Sequence, residues 1–309
     1  MKIVSLLASA TEIVCDLGLE DALVGISHEC DWPPRVLDRP RVSRTRFDPS
    51  GLSSAAIDAA VRRAMAEHGS VYEVDGERLA ELEPDLILTQ AVCEVCAVPT
   101  PGVREVVRER GLDAEVLSLD AHTLEEILDS IVLVGEVAGV PDRAGRLGAE
   151  LAERLDDVRA AVAGAPPLRT LAIEWLAPPF EPGHWVPGMV RMAGGVNLAG
   201  EEGAPSRQVT WEELAGLDPD ALVVMPCGYG LEASRREADE HADRLLAVAP
   251  RAIAEGRAFV VDGSSYFNRS GPRTATGVEI LAGLLHPERI DAPPEGTAAR
   301  WGPAEAERG

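Results

Sequence analysis

Short apolar runs alternate with helical patterns along the first part of the chain. The runs KIVSLL and LVGIS flank the helical stretch SATEIVCDLG, and PDLILTQ and AEVLSLDA flank a second one, PGVREVVRERG. Ser9 and Thr11 are candidate caps of the first helix, with Glu12 at the capping-box spacing from Ser9. Short strand, helix, short strand at this spacing is typical of βαβ units. The pattern therefore predicts an α/β fold with a mainly parallel sheet.

A long helical pattern then interrupts the alternation. It runs from Thr123 to about Gly164, is broken only around Pro141, and is followed by a new alternation beginning RTLAIEWL. We therefore expect two α/β lobes joined by helix. The predicted domains are an N-terminal α/β lobe at 1–122, a linking helical segment at 123–165, a C-terminal α/β lobe at 166–287 and a flexible tail at 288–309, rich in Pro, Ala and Glu.

A short internal repeat supports two lobes. LAELEPDLIL at 79–88 and LAGLDPDALV at 214–223 both have the pattern of a helix end, a Pro-Asp turn and a buried strand. Cys93 and Cys96 follow the first copy, and Cys227 follows the second. Because ligands of open α/β sheets bind beyond the carboxyl ends of the strands, we expect both loops to face one cleft between the lobes.

Four loops after predicted strands collect aromatic and polar residues. They are SHECDWPP (27–34), TQAVCEVCAVP (89–99), EWLAPPFEPGHWVPG (174–188) and DGSSYFNRSGPR (262–273), and they hold three of the five Trp residues. Aromatic walls with a few polar groups suit a concave ligand site. The alternative is that Trp and Pro only pack these long loops.

Several of these segments resemble a known family. SATEIVCDLGLEDALVGISHECDWPP, LAELEPDLILTQ, IEWLAPPFEPGHWVPGMVRMAGGVNL, SRQVTWEELAGLDPDALVV and SSYFNRSGPR are similar, in that order, to the class III substrate-binding proteins of ABC importers, in particular the cobalamin-binding branch. The resemblance covers residues 1 to about 287. It implies two Rossmann-like lobes joined by a long helix, with a cobalamin-like corrinoid held in the cleft between them.

The resemblance also implies a set of ligand contacts. Trp32 matches the aromatic residue before the Pro pair, Trp185 a cleft aromatic, and Tyr266 and Phe267 the aromatic pair of the final loop. A broad flat macrocycle buries much apolar area against such rings. With polar neighbours from the same loops, the predicted ligand-binding residues are Glu29, Trp32, Glu174, Trp175, His184, Trp185, Tyr266, Phe267 and Arg269. Arg269 suits a phosphate or carboxylate of the ligand, or a loop hydrogen bond.

The cysteines and histidines leave a metal site open. Cys93 and Cys96 form one CxxC, whereas a structural zinc site normally needs four ligands. The candidate metal ligands are His28, Cys30, Cys93, Cys96 and Cys227, with zinc or an iron–sulfur cluster favoured by thiolates. His28 and His184 are also candidate axial ligands of a corrinoid cobalt. The alternatives are a redox pair and small apolar side chains without a chemical role.

Charge and the start of the chain limit the partners. Lys and Arg number 29 against 52 Asp and Glu, a formal charge of −23 that argues against nucleic acid and anionic membranes. The start lacks the secretory pattern, and no run of ~18 apolar residues is present to span a bilayer. We therefore expect a cytoplasmic chain without membrane insertion, with an ABC permease as partner only if an export signal was removed.

These observations favour a binding protein over an enzyme. No Ser-His-Asp order, phosphate-cradling Gly loop or HExxH motif is present in the sequence. The first hypothesis is storage, sensing or processing of a small-molecule corrinoid in the cytoplasm. The alternative is a cleft enzyme containing a metal or cluster, with the cysteines and Glu174 as its working groups.

Overall fold

The chain folds into two units, each built on its own mainly parallel sheet. The computed structural model describes residues 1–92 and 98–303. The first unit contains Met1–Ala121 and Glu125–Glu150, and the second contains His122–Leu124 and Leu151–Gly309. The predicted α/β class is confirmed. None of the helices in the described ranges combines the length and the apolar character that crossing a bilayer requires.

The first unit carries a four-stranded parallel sheet of order β2-β1-β5-β6 and a small antiparallel pair, β3 with β4. Its elements are β1 Ile3–Ser5, α1 Ala8–Asp16, β2 Leu23–Ile26, β3 Ser43–Thr45, α2 Ser54–His68, β4 Tyr72–Val74, α3 Gly76–Leu82, β5 Leu86–Thr89, α4 Thr100–Arg110 and β6 Glu115–Ser118. Strands β1 and β5 are buried along their whole length, as continuous apolar strands in a parallel sheet should be.

The predicted linking segment is two helices, α5 Leu124–Val137 and α6 Pro141–Val162. The break falls where Gly139 adopts a positive φ of 76° and Pro141 starts the next helix. Helix α6 begins in the first unit and ends in the second. Proline and glycine therefore divide a helical pattern that the apolar periodicity alone leaves continuous.

Gly135 marks a close contact of α5 and α6. A Cβ at Gly135 would collide with the Cβ of Ala144, whereas a Cβ at Gly145 would meet nothing within 4 Å. Gly135→Ala is therefore expected to lower the free energy of unfolding by about 1 kcal/mol or more through overpacking. Gly145→Ala is the matched control, and its better helix propensity is expected to leave stability unchanged or raised. Urea denaturation of both variants checks this, and equal stabilities would contradict the close contact.

The second unit carries a five-stranded sheet of order β10-β7-β12-β13-β14, parallel except for β14, and a small antiparallel sheet of order β11-β9-β8. Its elements are β7 Leu168–Ile173, β8 Trp175–Leu176, β9 Pro179–Glu181, α7 Val186–Met192, β10 Gly195–Asn197, β11 Arg207–Gln208, α8 Trp211–Ala215, β12 Ala221–Val224, α9 Leu231–Glu240, α10 Ala242–Val248, α11 Pro250–Ala254, β13 Ala258–Val261, α12 Gly263–Tyr266, α13 Thr274–Leu285 and β14 Ala298–Arg300. Strands β12 and β13 are fully buried.

Residues 288–303 contain a strand and a buried tryptophan, where the sequence predicts a flexible tail. Strand β14 pairs antiparallel with β13 and closes that edge of the sheet. Trp301 follows it and is only 4% exposed, with its indole N–H donating to Asp239 at 2.8 Å. Pairing and burial of the indole hold this segment on the second unit. Strand β14 is only three residues long, so it is too short to give a periodic pattern in the sequence.

The internal repeat has the predicted structure in both copies. The first copy gives the end of α3, a turn and β5, and the second gives α8, a turn and β12. Glu83 and Asp218 occupy equivalent turn positions with φ of 47° and 43°. Each copy delivers a central strand of its unit's sheet, so the loop that follows leaves at the carboxyl edge of that sheet.

Candidate functional site

Three loops meet at the carboxyl edge of the second sheet. Strands β7, β12 and β13 are parallel neighbours, so their carboxyl ends share one edge. The Cys227 N–H donates to the carbonyl of Glu174 at 2.9 Å, and the Ser264 N–H donates to the carbonyl of Tyr229 at 3.1 Å. These bonds join the loops into one surface. We call it the edge site and define it as residues 174–177, 182–185, 203–206, 226–230 and 262–273.

Glu174 is the first residue after β7. Burial raises the pKa of its carboxyl from 4.5 to about 7, although a hydrogen bond from the Ser206 hydroxyl opposes this. The Ser206 hydroxyl also accepts the Gly183 N–H at 3.1 Å. This network fixes the carboxyl group and leaves its charge changing near neutral pH. Glu174 was selected from its place at a predicted strand end, and in the structure it follows β7 directly.

Trp175 follows Glu174 in the chain, and its half-buried ring meets the half-buried ring of Tyr229. Trp175 meets Tyr229 edge to face, with ring centroids 5.3 Å apart, and its indole N–H donates to the Ala177 carbonyl at 3.2 Å. Burial raises the pKa of Tyr229 to about 12, so its phenol stays neutral. Sequence analysis selected Trp175 but missed Tyr229. The signal for Tyr229 was its place in PCGYG, the loop after the second repeat copy.

The loop after β13 adds Tyr266 and two arginines to the edge site. Tyr266 is half-buried, and the Arg273 guanidinium lies over its ring, 5.6 Å from the centroid. Arg269 donates to the Ser264 hydroxyl at 3.3 Å. The Asp262 carboxylate caps the short helix α12 by accepting the Ser265 N–H at 2.8 Å. Tyr266 thus presents a ring whose orientation its own loop fixes.

Trp185 and Phe267 are packing residues in this structure. Trp185 is 8% exposed and Phe267 is 0% exposed. The Trp185 indole N–H donates to the Phe267 carbonyl at 2.7 Å, which ties the loop after β9 to the loop after β13. That both rings contact a ligand stays a prediction, while in this structure their surfaces are used in packing. The family resemblance selected the two loops, but not which ring of each loop is accessible in the structure.

His184 pairs with His122 in the second unit. Their Nδ1 atoms are 3.3 Å apart, and their ring centroids are 5.4 Å apart. Burial, and then the neighbouring His122, lower the pKa of His184 below its ordinary value. His184 also has a positive φ of 50°, unusual for a residue with a side chain. Sequence analysis selected His184 but not His122. His122 follows β6, the last strand of the first unit.

The predicted residues between 28 and 32 lie on one loop of the first unit. His28 Nδ1 is 2.8 Å from the Ser43 hydroxyl, and Cys30 is 1% exposed with its thiol 3.0 Å from the Thr11 hydroxyl. Glu29 is exposed and 3.2 Å from His28 Nε2, an ion pair when the imidazole is protonated. Trp32 is 47% exposed and stays a predicted ligand contact.

Arg41 orders the same loop. One of its guanidinium nitrogens, Nη1, donates to the carbonyls of Ser27, His28 and Cys30 at 2.7, 3.0 and 2.8 Å. Three carbonyls directed at one cation fix the path of the backbone just before Trp32. The indole is therefore presented to solvent from an ordered loop.

The predicted metal site has no support among residues 1–92 and 98–303. There, no three His, Cys, Asp or Glu side chains come together as a metal-binding group. The hydroxyl contacts of His28 and Cys30 account for both side chains structurally. Cys227 is half-buried in the edge site. The CxxC prediction concerns Cys93 and Cys96, which lie outside the described residues.

A parallel sheet whose carboxyl edge carries half-buried rings and a fixed carboxyl group is typical of small-molecule-binding proteins of the α/β class. The chain belongs to the periplasmic binding protein family, whose model matches residues 3–263. The resemblance seen in the sequence is thereby confirmed at the level of the family.

Individual relatives are distant but nearly full-length. A vitamin B12-binding protein of Vibrio cholerae is 25% identical over 287 residues, covering 92% of this chain and 88% of the relative. An uncharacterized ABC transporter substrate-binding lipoprotein of Bacillus subtilis is 25% identical, covering 93% and 80%. A periplasmic heme-binding protein of Pseudomonas aeruginosa has a TM-score of 0.73 at 24% identity, covering 97% and 99%, and shows the shared fold.

Proposed function

We propose that this chain binds a cobalamin-like corrinoid at the edge site. The observation that carries the proposal is the pair of half-buried rings, Trp175 and Tyr229, on the same edge of the sheet as the fixed carboxyl of Glu174. The vitamin B12-binding relative from Vibrio cholerae supports the same ligand class.

The chemistry of a corrin matches these groups. Its faces are broad and largely apolar, and covering them with aromatic rings contributes about 25 cal/mol per Å² of apolar surface removed from water. Its rim carries neutral amide groups, which both donate and accept hydrogen bonds. The neutral phenol of Tyr229 can donate to an amide oxygen, and the Glu174 carboxylate can accept an amide N–H.

Heme is the competing ligand, because a heme-binding protein shares the fold. Heme carries two carboxylates at its rim in place of amides. The Glu174 carboxyl is ionised above pH of about 7 and repels a ligand carboxylate placed beside it. Arg269 and Arg273 are the cations of the edge site, and they contact Ser264 and the Tyr266 ring. The balance of charges around Trp175 and Tyr229 therefore favours a corrin, whose rim is neutral, over heme.

Gel filtration with hydroxocobalamin tests the proposal. The protein peak is expected to carry one corrinoid per chain, unchanged in mass, and a parallel run with hemin at the same concentration is expected to carry less. Stoichiometric retention of hemin without the corrinoid would assign the site to heme. Retention of neither ligand would contradict the proposal that the chain binds a macrocycle. Chemical change of the corrinoid would favour an enzyme.

The cellular role is a separate proposal. The sequence predicts storage, sensing or processing inside the cell, whereas the name of the Bacillus subtilis relative supports uptake with an ABC permease. Binding of the ligand is common to both roles. Fractionation of cells expressing the natural gene, followed by immunoblotting of each fraction, distinguishes them.

A further inference from the structure

We propose that His122 and His184 together form a binding site for a divalent transition-metal ion such as Zn²⁺ or Ni²⁺. This inference is independent of the corrinoid proposal, because it concerns a pair of imidazoles and no macrocycle. The sequence-based metal candidates did not include His122. The two residues come together because His122–Leu124 pack with the second unit, although 61 residues separate His122 from His184 along the chain.

The separation of the two nitrogens fits a shared ion. The Nδ1 atoms of His122 and His184 are 3.3 Å apart. Two ligands each about 2.0–2.1 Å from a tetrahedral zinc ion lie about 3.3–3.4 Å from each other. A direct hydrogen bond between the rings would be longer than the usual N–H hydrogen bond of about 2.9–3.0 Å. Only a small change in either ring would therefore be needed to admit the ion.

The backbone holds His184 in place for this role. Its positive φ of 50° is secured by two hydrogen bonds, from its own N–H to the Ala204 carbonyl at 2.7 Å and from the Gly203 N–H to its carbonyl at 3.0 Å. Its ring lies 5.8 Å from the ring of Trp185. Since Trp185 is buried and bonded to the Phe267 carbonyl, the imidazole rests against a fixed wall. The two hydrogen bonds and the fixed wall together hold the His184 imidazole in one position.

The ligand chemistry limits the ion and its environment. Imidazole nitrogen suits zinc, copper and nickel, whereas magnesium and calcium prefer oxygen. In the part of the chain that the structure describes, no group of three or more metal-ligating side chains includes this pair. The protein thus supplies two ligands, and water fills the other positions. Such an open site exchanges its ion and can accept a further donor from a bound molecule.

The test is a titration with Zn²⁺ alone, on a chain without a polyhistidine tag. Cys93→Ser/Cys96→Ser serves as the background, because this removes the two thiolates of the CxxC pair. One Zn²⁺ per chain is expected by calorimetry. His122→Gln and His184→Asn are each expected to weaken binding at least tenfold. Asn is chosen at 184 because it tolerates positive φ better than most non-glycine residues.

His68→Gln is the matched control, since His68 is exposed at the end of α2. Its zinc binding is expected to equal that of the background. Unchanged zinc binding in both His122→Gln and His184→Asn would overturn the proposal, as would absence of any stoichiometric binding by the background. Circular dichroism of each variant establishes that it is folded. A shift in unfolding temperature with no change in zinc affinity would mean that the pair is only a hydrogen bond, which also overturns the proposal.

Discussion

Trp175→Ala is expected to weaken hydroxocobalamin binding by about 10- to 100-fold. A large side chain fully buried against a partner contributes about 1.5–3 kcal/mol, and each 1.4 kcal/mol changes a dissociation constant tenfold. Trp175 is half-buried, its indole orientation is fixed by the Ala177 carbonyl, and Tyr229 supports its ring. Because the ring is already held, little conformational entropy is lost when a ligand covers it.

Trp175→Phe is the matched control for this prediction. It keeps an apolar ring on the same backbone and loses only the indole N–H and part of the area. Its affinity is expected to fall by less than about tenfold, because most of the covered surface remains. Spectroscopic titration with hydroxocobalamin measures both variants. Equal affinity of Trp175→Ala and the unmodified chain would place the ligand elsewhere and remove the main support of the proposed function.

The sequence predicted the two sheets well because their strands carry strong local signals. Strands β5 and β12 are continuous apolar runs after Pro-Asp turns, and such runs have few alternative structures. The break at Gly139 and Pro141 was visible as well, but the division of the linking segment into two helices was not. The apolar periodicity continues on both sides of the break, so it predicted one long helical segment. Local patterns thus identified the elements better than their junctions.

Capping shows why local motifs mislead without context. Ser9 and Glu12 have the capping-box spacing, but α1 begins at Ala8 with Leu7 as its N-cap and no side-chain cap bond. The same spacing at Thr210 and Glu213 forms both bonds of a capping box and starts α8. Thr210 lies on extended backbone before its helix, whereas Ser9 lies inside one. The motif shows which capping hydrogen bonds can form. Where the helix begins depends on the tertiary fold.

The site was predictable by loop and not by side chain. Glu174 and Trp175 follow β7 directly, so the strand end placed them correctly. Trp185 and Phe267 come from equally aromatic loops but are buried, a property that depends on contacts between loops distant in sequence. The pairing of His122 with His184 likewise depends on contacts between segments that are distant in sequence. No periodicity or spacing records which residues of separate loops meet.

Stability of the chain is expected to fall between pH 4.5 and about 7 because of Glu174. Its carboxyl has a pKa of about 7 in the folded protein, against an ordinary value of 4.5. Below 4.5 the folded and unfolded chains both hold the proton, so the residue adds no pH dependence. Between the two values only the folded chain holds it, and stability decreases as pH rises. Above about 7 the full destabilisation remains.

Glu174→Gln isolates this contribution. The amide oxygen can still accept the Ser206 hydroxyl, but the side chain no longer ionises. A shift of this size corresponds to about 3 kcal/mol at 1.36 kcal/mol per pKa unit, and partial solvent exposure reduces it to roughly 1–3 kcal/mol. The variant is therefore expected to be more stable than the unmodified chain at pH 8 by that amount, and nearly equal to it at pH 4.5.

Urea denaturation of both proteins across this pH range measures the difference directly. Glu150→Gln is the control, because Glu150 is an exposed glutamate of α6, and its curve is expected to run parallel to that of the unmodified chain. A Glu174→Gln curve that also ran parallel would mean that the carboxyl ionises as it does in water. In that case Glu174 would be a permanently charged acceptor in the edge site, and ligand affinity would lose the pH dependence that a carboxyl titrating near neutral pH must give it.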